Sequence, residues 1–178
     1  SNESSDIIKM FYESFKNFSS NWLELYPQNL REEIDEFNDY IYLSLNNGVY
    51  RTGFATSQKA YEEGVTAIFS SLEKINDILK NKKFLFGDSP LETDWKLFTT
   101  LIRFDAVYYY HFKCNIKKLV DYENIIKYLQ RLTYYPKVEE TIKLNHIIDH
   151  YYLSHLKINP HGIIPKGSPK TINQVINL

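Results

Sequence analysis

The chain has 178 residues, 43% of them hydrophobic, enough for one sizeable core. Its 21 Lys and Arg against 22 Asp and Glu give a net charge of −1, which excludes the strong basic field of a nucleic-acid or anionic-membrane binder. One cysteine, Cys114, excludes an internal disulfide and fits a reducing compartment. No apolar run approaches the roughly 20 residues of a membrane span. The opening "SNESSDIIKM" has neither the basic nor the apolar region of a secretory leader, so a cytoplasmic setting is expected.

The predicted elements are helices throughout, and the expected class is all-α. "SSDIIKMFYESF" puts Ile7, Ile8, Phe11 and Phe15 on one face behind a Ser/Asp start, with Ser4 or Ser5 as the cap. "LREEIDEFNDYIYLSL" repeats the spacing with Ile34, Phe37, Ile41 and Leu45, and Asn47-Gly48 is read as its stop. "SQKAYEEGVTAIFSSLEKINDILK" is a long helix with the stripe Ile68, Leu72, Ile75 and Leu79; "FLFGDSP" is a turn. "DWKLFTTLIRFDAVYYYHF" has few polar faces and is expected at the centre of a bundle. "YENIIKYLQRL" and "HIIDHYYLSHL" complete the helices, and the Pro- and Gly-rich stretch after Leu156 reads as an extended tail. There is no internal repeat, strand-like alternation or Gly-rich phosphate loop.

Few residues suggest chemistry by themselves. Cys114, beside His111, Lys113, Lys117 and Lys118, is either a thiol activated by cationic neighbours or a small buried side chain. His146 and His150 lie four residues apart on a helix, but a zinc peptidase needs a Glu after the first His, where this chain has Ile147; no metal site is expected. Tyr108 to Phe112, "YYYHF", reads as packing, because aromatics bury large areas. Phenols near the end of a bundle also need a polar partner, so those of "GVYRTGF" and "HYYLSH" could line a cleft.

Three long stretches carry a resemblance. "NNGVYRTGFATSQKAYEEGV", the run from "FLFGDSPLETDWKLF" through "TTLIRFDAVYYYHFKCNIKKLVDYENIIKYLQRL", and "HIIDHYYLSHLKINPHGIIPKG" are similar to consecutive blocks of the glutathionyl-hydroquinone reductases, the Xi class of glutathione transferases. The resemblance runs to about Pro169, and "LFTTLIRFDAVY" and "INPHGIIPKG" are its most specific parts. It implies a parent with a thioredoxin-like domain that binds glutathione and supplies a catalytic cysteine in a Cys-Pro-Trp-Ala type motif, followed by an all-helical domain that builds the acceptor pocket. No such motif and no βαβ pattern precede the first helix, so the thioredoxin-like domain and its nucleophile are expected outside this chain, upstream of Ser1. The implied divisions are 1–18 as the terminal helix and linker of that domain, 19–156 as a transferase C-terminal helical bundle, and 157–178 as tail.

The same resemblance assigns roles. Glu3 and Ser4 match the acidic-Ser pair that recognises the γ-glutamyl end of glutathione, a carboxylate for the ammonium and a helix N-terminus for the carboxylate. Tyr50 and Tyr151 match phenols of the acceptor pocket, with Tyr152 the alternative for the second. Cys114 becomes structural. Relatives carry Ser or Thr where this chain has Leu91, three residues before Asp94, so Thr93 or Ser89 is the candidate cap for that helix. The implied partners are glutathione, a glutathionylated quinol and a second copy of the chain, with no nucleic acid, membrane or metal. The alternative is a transferase-like helical docking module without chemistry.

Overall fold

The computed structural model describes residues 3–19 and 22–167. Its α-helices are α1 (Ser4–Ser14), α2 (Arg31–Ile41), α3 (Gly48–Gly53), α4 (Gln58–Ile78), α5 (Glu92–Arg103), α6 (Tyr109–His111), α7 (Glu123–Thr133) and α8 (Leu144–Ser154). Among the described residues the only strand-like pairing is one bridge, Phe84 with Gly87, at the turn read from "FLFGDSP". The all-α expectation holds. Residues 157–167 form turns and extended backbone, and the remainder of the expected tail lies outside the described residues.

The stripes of α2, α4, α5 and α7 are buried as their spacing predicts, whereas that of α1 stays exposed at Ile8, Phe11 and Phe15. Ser57 caps α4 by accepting the Ala60 N–H, and Ile68, Leu72 and Ile75 on one α4 face are fully buried. Each such side chain contributes about 1.5–3 kcal/mol on burial. Leu97 and Leu101 of α5, and Ile125 and Leu132 of α7, close the same core without exposure. The α5 segment is central as expected, since Phe104, Ala106 and Val107 beyond its end are buried too.

Three local expectations need correction. Asn47-Gly48 does not stop α2. Residues Tyr42–Asn46 form a π-turn, in which the Asn47 N–H reaches back five residues to the Tyr42 carbonyl, and α3 follows directly. Glycine is needed further on for close approach. A Cβ on Gly53 would lie 2.3 Å from the Phe112 ring, and one on Gly64 would lie 2.4 Å from the Thr52 hydroxyl oxygen. At α1 the N-cap position is Glu3, so Ser4 and Ser5 lie inside the helix and do not cap it.

The α5 start is the third. Neither Thr93 nor Ser89 caps it. Leu91 holds the N-cap position, and a leucine side chain accepts nothing, so the box is half made: Asp94 Oδ2 accepts the Leu91 N–H at 2.8 Å. The Asp94 carboxylate also accepts the Leu85 N–H at 3.0 Å and the Tyr128 hydroxyl at 2.8 Å, and it has no exposure at all. Burial raises its proton affinity above the usual carboxylate range. A second buried carboxylate, Asp105, is raised by burial in the same way and accepts the Leu119 N–H at 2.8 Å, fastening the loop before α7.

Cys114 lies in that loop, fully buried, with its N–H bonded to the Tyr108 carbonyl at 3.0 Å. Burial pushes its thiol up to about 12, and nearby Lys113 offsets only part of this. At neutral pH it is a protonated, inaccessible thiol, and the structural reading of Cys114 stands.

Two measurements follow. Asp94→Ala leaves two backbone donors and a phenol unpaired in the core and should cost about 3 kcal/mol or more in urea unfolding. An unchanged midpoint would show that the three bonds carry no weight. A chromogenic thiol reagent should not react with the native chain at neutral pH and should titrate one thiol once denaturant is added. Prompt reaction without denaturant would contradict the buried assignment.

Candidate functional site

Tyr50, Tyr108 and Tyr151 come from three elements and meet at their hydroxyls. Tyr50 is on α3, which Gly53 lets press against Phe112. Tyr108 ends a second π-turn, Phe104–Tyr108, that interrupts the α5–α6 run, and Tyr151 is on α8. The Tyr50 and Tyr151 oxygens are 2.5 Å apart, and those of Tyr108 and Tyr151 are 2.9 Å apart. Phe112 supports the group, stacked on Tyr108 at 5.5 Å and tilted against Tyr50 at 5.2 Å between ring centres. Three phenols supply three protons, and two oxygen–oxygen contacts use two of them. One O–H is therefore left to donate to a ligand.

The hydroxyls border a cavity of about 260 Å3, whose wall is completed by Asn46, Thr99, Thr100 and Arg103. Burial pushes the Tyr151 phenol up to about 12, with Tyr50 adding to the rise and Arg103 opposing it. Burial, with Tyr151 and Tyr50 beside it, also raises Tyr108 far above the ordinary phenol. Both stay protonated at neutral pH and act as donors. Arg103 brings a cation to the same wall, its Nη1 anchored on the Thr99 carbonyl at 2.6 Å. Asn46 is held by its amide nitrogen on the Lys96 carbonyl at 3.0 Å and the Thr100 hydroxyl at 2.7 Å.

The sequence-predicted residues are brought together unevenly. Tyr50 and Tyr151 meet directly. Tyr152 donates to the Ala106 carbonyl at 3.2 Å, and of the two it is Tyr151 that lines this cavity. Glu3 and Ser4 are exposed and line a separate groove of about 400 Å3 against Asn38, Tyr42 and Trp95. That groove shares Asn46 and Thr99 with the tyrosine cavity, so the two spaces adjoin through these side chains. His146 and His150 are exposed on α8, and among the described residues no group of three or more His, Cys, Asp or Glu could hold a metal ion. His111 and His155 pair instead, Nε2 to Nδ1 at 3.1 Å. Burial, then the neighbouring His155 and Lys113, lowers His111 to about 4, which leaves it neutral at pH 7.

Sequence reasoning missed Tyr108, Arg103 and Asn46. The "YYYHF" run does pack, with His111 and Phe112 buried, but its first tyrosine also reaches the cavity. A lone arginine inside "FTTLIRFDAV" was the available signal for Arg103. Asn46 had none, because its direction depends on the π-turn.

Comparison with known proteins places this geometry. Residues 58–131 match the family described as glutathione S-transferase, C-terminal domain. Glutathionyl-hydroquinone reductase PcpF of Sphingobium chlorophenolicum is 44% identical over 166 residues, spanning 93% of this chain and 53% of PcpF. Glutathionyl-hydroquinone reductase YqjG of Escherichia coli is 45% identical over 167 residues, 94% of this chain and 51% of YqjG. The glutathione-bound YqjG structure superposes with a TM-score of 0.91, covering 93% of this chain and 54% of that one. The glutathione S-transferase Xi structure from Phanerochaete chrysosporium, 43% identical, superposes with a TM-score of 0.92 over 96% of this chain and 59% of that one. The chain spans about half the length of the curated relatives it matches. The chain carries a glutathione S-transferase C-terminal helical domain and is similar along nearly its whole length to the glutathionyl-hydroquinone reductases.

Proposed function

We propose that the chain forms the acceptor side of a glutathione-dependent reductase that returns glutathionyl-hydroquinones to hydroquinones. The observation that supports it most is the hydroxyl cluster of Tyr50, Tyr108 and Tyr151 at a cavity wall, with one phenol proton free for a ligand oxygen. A docking role alone gives no reason to gather three phenols and a guanidinium around a cavity.

In this reading the nucleophile is a cysteine outside these 178 residues, because Cys114 is buried and protonated. Its thiolate attacks the glutathione sulfur of the conjugate. A sulfur–sulfur bond forms and the sulfur–carbon bond breaks; the electron pair passes to the ring carbon, which takes up a proton. A second glutathione thiolate then displaces the enzyme thiolate, leaving glutathione disulfide. The one free O–H of the Tyr50–Tyr151 pair donates to a quinol oxygen as charge builds on the ring, while the other phenol of the pair and Tyr108 orient it. Glu3 and Ser4 receive the γ-glutamyl end of glutathione in the adjoining groove, with the carboxylate of Glu3 facing the ligand ammonium. The setting is cytoplasmic, and no helix among the described residues is long and apolar enough to cross a membrane.

Assembly belongs to the same reading. Phe11, Phe15 and Phe18 are 56%, 46% and 84% exposed, an apolar surface that favours association. We expect the protein to form a homodimer, and sedimentation showing only monomer at high concentration would count against this.

The phenol roles are tested in a protein that includes the cysteine-bearing part. Tyr50→Phe and Tyr151→Phe each break the linked hydroxyls that present one proton to developing charge, worth about 1.5–3 kcal/mol, or roughly 10- to 150-fold in rate constant. Turnover should fall, while glutathione disulfide still forms a mixed disulfide with the catalytic cysteine and Tm stays near the parent's. Near-normal kcat/KM for several glutathionyl-hydroquinones in both variants would remove the phenols from the reaction.

A further inference from the structure

A basic concavity lies away from the tyrosines. Where α4 ends and the 79–88 turn folds against α7, a cavity of about 510 Å3 is lined by Lys80, Lys82, Lys83, Lys127 and Arg131, with Asp88 the one carboxylate. That is a surplus of four positive charges (five cations less one anion) in a chain whose net charge is −1. None of its lining residues belongs to the tyrosine cavity or to the Glu3–Ser4 groove. The proposed reductase chemistry therefore does not use it.

We propose that this cavity binds a small phosphorylated anion, a phosphate ester or pyrophosphate group. Arg131 is half-buried and the four lysines are exposed, with Lys127 also paired to Glu123 at 2.5 Å, but three of the five cations have fixed positions at the wall. Arg131 donates from Nε to the Lys83 carbonyl at 3.1 Å, which fixes the guanidinium plane at the wall. Lys82 reaches the Leu85 carbonyl at 3.3 Å, and Lys83 sits 3.3 Å from Asp88. Guanidinium beside ammonium groups matches a phosphate, which accepts bidentate bonds from the first and point-charge contacts from the others. Like charges gathered in a concavity repel, and the field they focus is relieved by an anion. The volume lies in the range of small-molecule sites and exceeds what one inorganic phosphate fills, so the phosphate is carried on a larger molecule. A nucleic-acid strand is the wrong shape, because its binding needs a basic track along the surface rather than one short open hollow.

The test uses the 178-residue chain in phosphate-free buffer at low ionic strength, titrated with pyrophosphate, with citrate as a carboxylate comparator and chloride as the ionic-strength control. Pyrophosphate should bind saturably and raise Tm by about 5 °C at a hundredfold excess over Kd. Its amide chemical-shift changes should fall in residues 80–88 and 124–131. Lys80→Ala with Lys82→Ala should weaken binding about tenfold or more, while the charge-matched control Lys59→Ala with Lys143→Ala should not. The proposal fails if chloride at equal ionic strength reproduces the Tm rise, if citrate binds as tightly as pyrophosphate, if both double variants lose affinity equally, or if the shift changes lie outside this cavity.

Discussion

The fold turns on a carboxylate that water does not reach. Asp94 takes two backbone N–H groups and one phenol, and these come from Leu85 in the turn, Leu91 at the N-cap of α5 and Tyr128 in the middle of α7. A buried charge with unmet lone pairs would be costly, so all three donors must be present together or the arrangement loses its reason. These bonds tie the start of α5 to α7, and α5 in turn carries Thr99, Thr100 and Arg103 to the cavity wall. Asp105 repeats the device one layer on, closing the loop that holds Cys114 beneath Tyr108.

The site built on this frame is pre-set rather than assembled on demand. Tyr50, Tyr108 and Tyr151 are tied through shared protons and wedged by Phe112, so little rotamer freedom remains for a ligand to remove. The adjoining groove is of another kind. Glu3 and Ser4 are exposed at the first turn of a helix that has no fully buried residue. A precise polar wall thus faces a looser one, with Asn46 and Thr99 common to both.

Most of the fold was legible in the sequence because it rests on helical periodicity. Ile68, Leu72 and Ile75 recur on one face and are buried as one stripe. The limits lay where local rules competed. Asn47-Gly48 has the composition of a helix stop, yet packing keeps the chain coiled through a π-turn. Leu91 lacks a capping oxygen, and the tertiary bonds of Asp94 stand in for it. Tyr50 and Tyr151 emerged from likeness to a family, since no spacing rule brings together residues 101 positions apart. Tyr108 was hidden among neighbours of identical composition, and the basic cavity among lysines scattered over two segments.

The two π-turns have a consequence for how such a chain can change. Each adds one residue to a coil that otherwise advances about 100° per residue. Every side chain beyond it is rotated by that amount while the helix stays helical. Tyr42–Asn46 stands just ahead of Tyr50, and Phe104–Tyr108 carries its own tyrosine at its end. Loss of one residue at either turn would keep the hydrophobic content of the chain and swing the phenols out of phase with one another. A single-codon deletion at either place would thus turn a bundle with a hydroxyl-lined pocket into a well-filled bundle without one.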